Sequence, residues 1–172
     1  RFKRYRLLMG SLFNNDSLSV SFYRSDEMQR RIRELSATVK FDVAHFDTIS
    51  MAEYAMDVGK AKKILNHHNI ESDLLKNRSN IEKNILRKLY YRKEAAKLRK
   101  YHMQHCDTFE INFTVSDLDK QLLLEEVPNL RIAVVPNGVD TDYFYPATSN
   151  VERKSLIILS GMNWYPNRDA VL

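Results

Sequence analysis

Two patterns of hydrophobic and polar positions follow one another repeatedly along this chain. Met28, Ile32 and Leu35 lie at helical spacing behind Ser25-Asp26-Glu27, a group typical of a helix start. Short runs of apolar residues predict strands at 41–46, 61–65, 109–115, 131–135 and 155–160. Strands that alternate with helices indicate βαβ units, so we predict an α/β fold with a Rossmann-like parallel sheet flanked by helices.

Capping residues place several further elements. Ser50-Met51-Ala52-Glu53 has the capping-box form, and we expect the helix that it opens to end near Gly59. Ser116 is predicted to cap a later helix. Near the start of the chain, residues 1–13 are predicted to be helical and residues 19–23 extended.

A long basic helical region is predicted from about residue 71 to residue 105, with a break near 77–80. Ile81, Ile85 and Leu89 lie four residues apart within it. They form an apolar stripe, and Lys and Arg occupy the other faces.

The polar connection at residues 148–154 predicts a domain boundary between residues 144 and 154. We expect residues 1–147 to form one domain that is incomplete at its start, and residues 148–172 to begin a second, truncated one. The chain has 172 residues, does not begin with Met and ends in what reads as the first turn of a helix. We therefore expect a piece of a longer protein.

Charge is spread unevenly. The net charge is +5, yet the stretch from Lys60 to His105 holds thirteen Lys and Arg against four Asp and Glu. This excess indicates an anionic partner such as a lipid, a phosphate-bearing substrate or nucleic acid, or else a solvated helix face. Apolar content of 44% fits a globular protein, and no run is long enough for a membrane span. The lone Cys106 favours a reducing, cytoplasmic setting.

Candidate chemistry gathers where the predicted strands end, and the carboxyl edge of a parallel sheet is where ligands bind. The residues concerned are His45 and Asp47, then His67, His68 and Asn69, and finally Asn137, Gly138 and Asp140. Adjacent strand residues point to opposite faces, so only one of the two neighbouring histidines can face such a ligand. Asn-Gly predicts a tight turn that tolerates positive φ, and the Asp140 carboxylate is expected to bond loop amides.

Five fragments, in order, resemble segments of family-4 glycosyltransferases of the GT-B fold. They are Phe-Asp-Val-Ala-His at 41–45, Ile-Leu-Asn-His-His-Asn at 64–69, Phe-Thr-Val-Ser at 113–116, Val-Pro-Asn-Gly-Val-Asp at 135–140, and Leu-Ser-Gly-Met-Asn-Trp-Tyr-Pro-Asn at 159–167. The last of these is similar to the opening of the C-terminal domain in bacterial polysaccharide- and exopolysaccharide-assembly members.

The resemblance implies a retaining glycosyltransferase with two facing Rossmann-like domains. Such an enzyme moves a sugar from a nucleotide-sugar donor to a glycan or lipid-linked acceptor. The donor lies mainly on the C-terminal domain and the acceptor on the N-terminal one. No metal ion or other cofactor is expected, because helix dipoles and basic side chains hold the diphosphate.

Site residues follow from the same resemblance. His68 is expected to be the catalytic residue and to bond sugar hydroxyls or phosphate. The acceptor side is expected to include His45, Asp47, His67 and Asn69, and the interdomain or donor side Asn137, Gly138, Asp140, Gly161 and Asn167. The chain departs from the family pattern at Met162 and Asn167, where many members carry Arg and Lys. The family's Glu-x7-Glu motif would lie beyond Leu172, so the chain alone is expected to be inactive.

The basic residues of the segment from Lys76 to Lys100 would suit peripheral association with an anionic inner membrane surface, where each contributes roughly 1 kcal/mol. A competing interpretation is a non-enzymatic module whose basic helix binds nucleic acid. It is disfavoured because aromatic residues at base-stacking spacing are missing. A nucleotide-sugar epimerase of similar two-domain shape is a further alternative.

Overall fold

The computed structural model describes residues 16–146, 154–163 and 165–171. The chain divides into two compact units, Arg1–Asn137 and Gly138–Leu172, and each is described by itself below. The helix predicted over residues 1–13 lies outside the described residues. The domain boundary expected between residues 147 and 148 stays a prediction.

A parallel sheet forms the centre of the first unit. In the described part of the chain it has four strands in the order β1-β2-β3-β4: β1 at Val43–Phe46, β2 at Lys62–His67, β3 at Ile111–Thr114 and β4 at Ile132–Val134. Phe46 lies opposite Leu65, and His67 lies opposite Thr114. All four strands run in the same direction, so their carboxyl ends share one edge. The predicted α/β fold, with its parallel sheet flanked by helices, is confirmed.

Helices connect and flank these strands. The described α-helices are α1 at Leu18–Tyr23, α2 at Asp26–Thr38, α3 at Glu71–Ile81, α4 at Ile85–His105, α5 at Asp117–Glu126 and, in the second unit, α6 at Tyr165–Asp169. Short 3-10 helices span Ile49–Met56 and Cys106–Thr108. Ser25 and Ser116 cap α2 and α5, since each side-chain oxygen accepts a backbone N–H three residues later. Both helix starts were predicted from the sequence.

The segment 19–23 is helical, so its predicted extended conformation is wrong. Ser17 caps α1 by accepting a hydrogen bond from the Ser19 amide. The preceding amide, that of Leu18, donates to Glu94 of α4 at 2.7 Å. A side chain far away in the sequence therefore satisfies one of the free amides at this helix start.

The capping box predicted at Ser50 is not formed either. Thr48 is the capping residue, and its Oγ1 accepts from the Ser50 amide at 3.5 Å. The Ser50 hydroxyl is buried and has no hydrogen-bond partner among the described residues. Strand β1 leads into a 3-10 helix within two residues, which moves the cap upstream of Ser50. That helix ends at Met56, and Gly59 follows with a φ of 64°.

The break in the basic helical region lies at Glu82–Asn84 rather than near residues 77–80. Asn84 fixes its position, because its side-chain oxygen accepts from the amides of Leu86 and Arg87. The predicted apolar stripe is therefore divided between two helices, and its members Ile81, Ile85 and Leu89 are exposed.

In the second unit, the strand predicted over residues 155–160 is not formed in the described chain. Leu156, Ile157 and Leu159 are almost fully exposed there. A parallel strand needs a neighbour that supplies hydrogen bonds, and the described part of this unit contains no other strand.

The core lies between the sheet and its covering helices. Leu65 of β2, Leu98 of α4 and Leu123 of α5 are almost completely buried. The rings of Phe46 and Phe109 meet edge to face with their centroids 5.2 Å apart. Burial of each leucine contributes roughly 1.5–3 kcal/mol, so these contacts hold the strand ends in place.

Candidate functional site

A polar cluster lies where β1 and β2 end. Asp47 directly follows β1, and its Oδ1 lies 2.7 Å from His68 Nε2 and 3.0 Å from Asn66 Nδ2. Both side chains of the His68–Asp47 pair are more than half exposed. The two predicted site residues are thus brought together at the carboxyl edge of the sheet by neighbouring parallel strands.

The charge state of this cluster follows from its hydrogen bonds. The bond from Asn66 lowers the pKa of the Asp47 carboxyl; burial opposes this effect, and the bond from His68 adds to it. An ionised Asp47 accepts a hydrogen bond from Nε2–H of His68 and thereby selects the tautomer of the imidazole that is protonated at Nε2. Nδ1 then carries a lone pair, and it makes no hydrogen bond within the described ranges. It can accept a hydrogen bond from a hydroxyl group.

Thr48 holds the loop beside this pair in an unusual conformation. Its φ of 147° and ψ of 151° lie in a region that favours glycine and is costly for a β-branched residue. The Thr48 hydroxyl donates to Glu71 Oε1 at 2.9 Å, and so ties the loop after β1 to the start of α3. Backbone strain of this kind concentrates at ligand-binding sites, which supports a functional interpretation.

His67 points away from the cluster. It is buried, and its Nε2 lies 3.1 Å from Asn112 Oδ1. Desolvation by burial lowers the pKa of His67 to about 4, against the opposing effect of the Asn112 hydrogen bond. The two adjacent histidines therefore have separate surroundings, with His68 exposed at the edge and His67 in the core. Direct contact between His67 and an acceptor does not fit this placement.

The remaining acceptor-side residues flank the pair. His45 is exposed, lies two residues before Asp47 on the same side of the strand, and helps to lower the pKa of the Asp47 carboxyl. Asn69 is exposed directly after His68, and the next residue, Ile70, is buried and anchors the loop. Four of the five predicted residues on this side are thus exposed around one edge of the sheet.

A groove of about 590 Å³ adjoins this edge. It is lined mainly by apolar side chains of α2 and β1, among them Ile32, Leu35 and Val43, and His45 and Asp47 lie at its polar end. Within the described chain, β1 pairs with β2 alone, so its other edge opens into this groove.

In the second unit, Asp140 organises a turn. Its Oδ1 accepts from the amides of Asp142 and Tyr143 at 3.0 and 3.1 Å, as expected for a carboxylate that bonds loop amides. Gly138 does not have positive φ, and a Cβ there would meet nothing within 4 Å. The predicted Asn-Gly turn, which tolerates positive φ, therefore does not adopt it at Gly138. Asn137, the last residue of the first unit, is exposed.

The other two residues predicted for the donor side contact each other. Asn167 Nδ2 donates to the Gly161 carbonyl at 3.1 Å, across the turn that precedes α6. This bond gives Asn167 a local structural partner. Gly161, like Gly138, has open space around the position of a Cβ.

Among the described residues, no group of three or more His, Cys, Asp or Glu side chains is placed to hold a metal ion. None of the described helices combines the length and the apolar character that crossing a membrane requires.

Sequence reasoning missed three residues of the site: Asn66, Thr48 and Glu71. All three lie within four residues of a predicted site residue in the sequence, and this proximity could have identified them as candidates. Their contacts, however, depend on how β1 and β2 are paired. Ser72 and Glu126, whose hydrogen bond joins the start of α3 to the end of α5, were also missed, because their contact depends on how these two helices pack.

A parallel sheet flanked by helices, with a polar cluster beyond the carboxyl ends of its strands, defines a Rossmann-like domain, and ligands of such folds bind at that edge. The chain matches the family model described as Glycosyltransferase Family 4 over residues 4–143, and it belongs to this family. A glycosyltransferase of this kind acts on a sugar donor and an acceptor. Neither the curated proteins nor the solved structures contain a significant match to the chain.

Proposed function

We propose that this chain provides the acceptor side, and the beginning of the donor side, of a retaining glycosyltransferase that transfers a sugar from a nucleotide-sugar donor to a glycan or lipid-linked acceptor. The motif at residues 159–167 resembles that of the bacterial polysaccharide-assembly enzymes of the family, which supports this type. The observation that carries the proposal is the Asp47–His68 pair at the carboxyl edge of the sheet.

In this proposal His68 is the catalytic residue and Asp47 positions it. The Asp47 carboxylate keeps the proton on Nε2, so Nδ1 is free to accept a hydrogen bond from a sugar hydroxyl. Asn66 and the Thr48–Glu71 bond keep the carboxylate and its loop in place. His45 and Asn69 add polar groups around the bound acceptor.

The donor side is proposed to include Asn137, Gly138, Asp140, Gly161 and Asn167, in a two-domain GT-B arrangement. The Asp140 turn supports this assignment, because a rigid turn suits a junction between domains. The nucleotide diphosphate would be held by helix dipoles and basic groups, with no metal ion or other cofactor. A cytoplasmic enzyme that rests peripherally on an anionic membrane through the segment from Lys76 to Lys100 completes the proposal.

The test is a transfer assay on the full-length protein, with a panel of labelled nucleotide-sugars and lipid-linked or oligosaccharide acceptors. We expect the new glycosidic bond to keep the anomeric configuration of the donor, as read by NMR. His68→Gln and Asp47→Asn should each lower kcat/KM by about 100-fold, because both disturb the same positioned imidazole. Asp107→Asn, an exposed aspartate elsewhere on the first unit, is the matched control and should retain activity.

Two results would contradict this proposal. A product with inverted configuration would exclude the retaining mechanism. Wild-type rates in both the His68 and Asp47 variants would show that this pair is not the catalytic site, even if the protein transfers a sugar.

A further inference from the structure

The turn between α3 and α4 carries an apolar surface that no described residue covers. Ile81 ends α3, while Ile85, Leu86 and Leu89 lie in the first turns of α4, and each is 55–74% exposed. On a helix, the last three fall within an arc of about 100°. We call these four residues the hairpin tip. Exposed apolar side chains that form one contiguous patch on a surface mark an interaction site.

Basic side chains surround the hairpin tip. Lys83 lies in the connecting turn, and Arg87 and Lys88 lie in the first turn of α4. Glu82 is the one acidic residue from Lys76 through Lys93, and it lies 3.9 Å from Arg78. The charge at this end of the hairpin is therefore positive, and its acidic group already has a partner.

We propose that the hairpin tip inserts into the surface of a membrane that contains anionic phospholipids. The inference rests on the membrane part of the proposed function and adds a distinct physical element to it. Lys83, Arg87 and Lys88 would contact anionic headgroups, while Ile81, Ile85, Leu86 and Leu89 enter the boundary between headgroups and acyl chains. An interfacial amphipathic helix combines cationic contacts with headgroups and apolar contacts with acyl chains in the same way.

A bilayer fits these observations better than the other occupants. A nucleic acid would be complementary to the cations but would leave the aliphatic tip in water, because aliphatic side chains offer no stacking surface for bases. A second copy of the chain would cover the apolar residues but would bring two positive surfaces together, which costs energy. An anionic bilayer is complementary to both parts.

The test is sedimentation of the chain with vesicles, and it needs no sugar donor. Vesicles of phosphatidylcholine alone are compared with vesicles that contain about 30% phosphatidylglycerol, at about 50 and about 500 mM NaCl. One double variant, Ile85→Gln with Leu86→Gln, removes apolar surface, and Leu118→Gln removes an equally exposed leucine from α5 as its control. Another, Lys83→Gln with Arg87→Gln, removes charge, and Lys40→Gln with Lys60→Gln is the control for it.

We expect binding to the anionic vesicles that is weakened, but not abolished, at high salt, because the apolar contribution is not screened. The apolar variant should bind about tenfold more weakly or worse and should lose the salt-resistant part. The charge variant should lose about fivefold for each cation at low salt. Both control variants should bind as the wild type does, and circular dichroism should show an unchanged helix content in all four variants.

Each other outcome overturns the inference in a recognisable way. If the apolar variant binds like the wild type while the charge variant does not, insertion is wrong but electrostatic association stands. If the wild type binds no vesicles, both the insertion and the membrane part of the proposed function fail, and the transferase site is untouched. Tighter binding to an oligonucleotide than to vesicles would point to nucleic acid. Self-association that the apolar variant abolishes, without vesicle binding, would point to a second copy.

Discussion

Acid should destabilise this protein through one buried imidazole. Asn112 Nδ2 donates to the Cys106 carbonyl, so its Oδ1 faces His67 and accepts from Nε2. The proton of neutral His67 therefore lies on Nε2. Nδ1 is buried without a partner among the described residues, and the ring of His102 lies 5.8 Å away, centroid to centroid. Protonation of Nδ1 would place a charge where no acceptor is available.

The magnitude follows from the pKa. Desolvation lowers the pKa of His67 from 6.5 to about 4 in the folded protein. Between these values the unfolded chain binds a proton that the folded protein does not, so the free energy of unfolding falls as the pH falls. The slope approaches about 1.4 kcal/mol per pH unit, and the total loss is about 3 kcal/mol. Carboxylates whose pKa is lowered, such as Asp47, lose their contribution at lower pH still.

Urea unfolding followed by circular dichroism at a series of pH values from 7 to about 4 measures this loss. His67→Gln keeps an amide donor for Asn112 but cannot be charged, so its stability should fall much less over this range. His45→Gln, which removes an exposed imidazole from β1, should follow the wild-type profile. If the His67 variant and the wild type lose stability in parallel, the buried neutral imidazole is not the cause.

Two further predictions concern stability. Thr48→Ala loses the hydrogen bond to Glu71 but keeps the unfavourable φ, whereas Thr48→Gly loses the bond and relieves the strain. The glycine variant should therefore be the more stable of the two by about 1 kcal/mol in urea unfolding. The opposite order of stability would exclude strain at this position. Leu65→Ala should lower the free energy of unfolding by about 2–5 kcal/mol, because Leu65 is fully buried. Leu118→Ala should stay within about 0.5 kcal/mol of the wild type, because Leu118 is exposed. Comparable losses of stability in the two variants would contradict the assigned core.

Local signals predicted much of the fold. Ser25 and Ser116 cap helices through bonds to amides three residues away, so a short window of sequence contains the whole interaction. Ser17 and Thr48 cap helices too, but their helices depend on distant partners, Glu94 and Glu71. A short window does not contain those partners. The first pair was predicted correctly, whereas the segment after Ser17 was predicted to be extended and the cap at Thr48 was placed at Ser50.

The candidate site was partly predictable for a related reason. The rule that ligands bind at strand ends located Asp47 and His68, and the alternation of side chains separated His68 from His67. Which of the two histidines is buried depends on the face that the helices cover, and this is a property of the tertiary structure. The role of Asn66 depends on the pairing of β1 with β2 in the same way.

The long connection between β2 and β3 affects which changes in length the chain can tolerate. The connection from β2 to β3 contains both α3 and α4, and it is more than twice as long as the connections on either side of it. Loop-closure entropy rises only with the logarithm of length, so this extra chain costs about 0.8 kcal/mol. A longer or shorter pair of helices could replace α3 and α4 while β2 and β3 remain neighbours in the sheet. The sheet can thus keep the polar cluster at its carboxyl edge while the length of the helical hairpin formed by α3 and α4 changes.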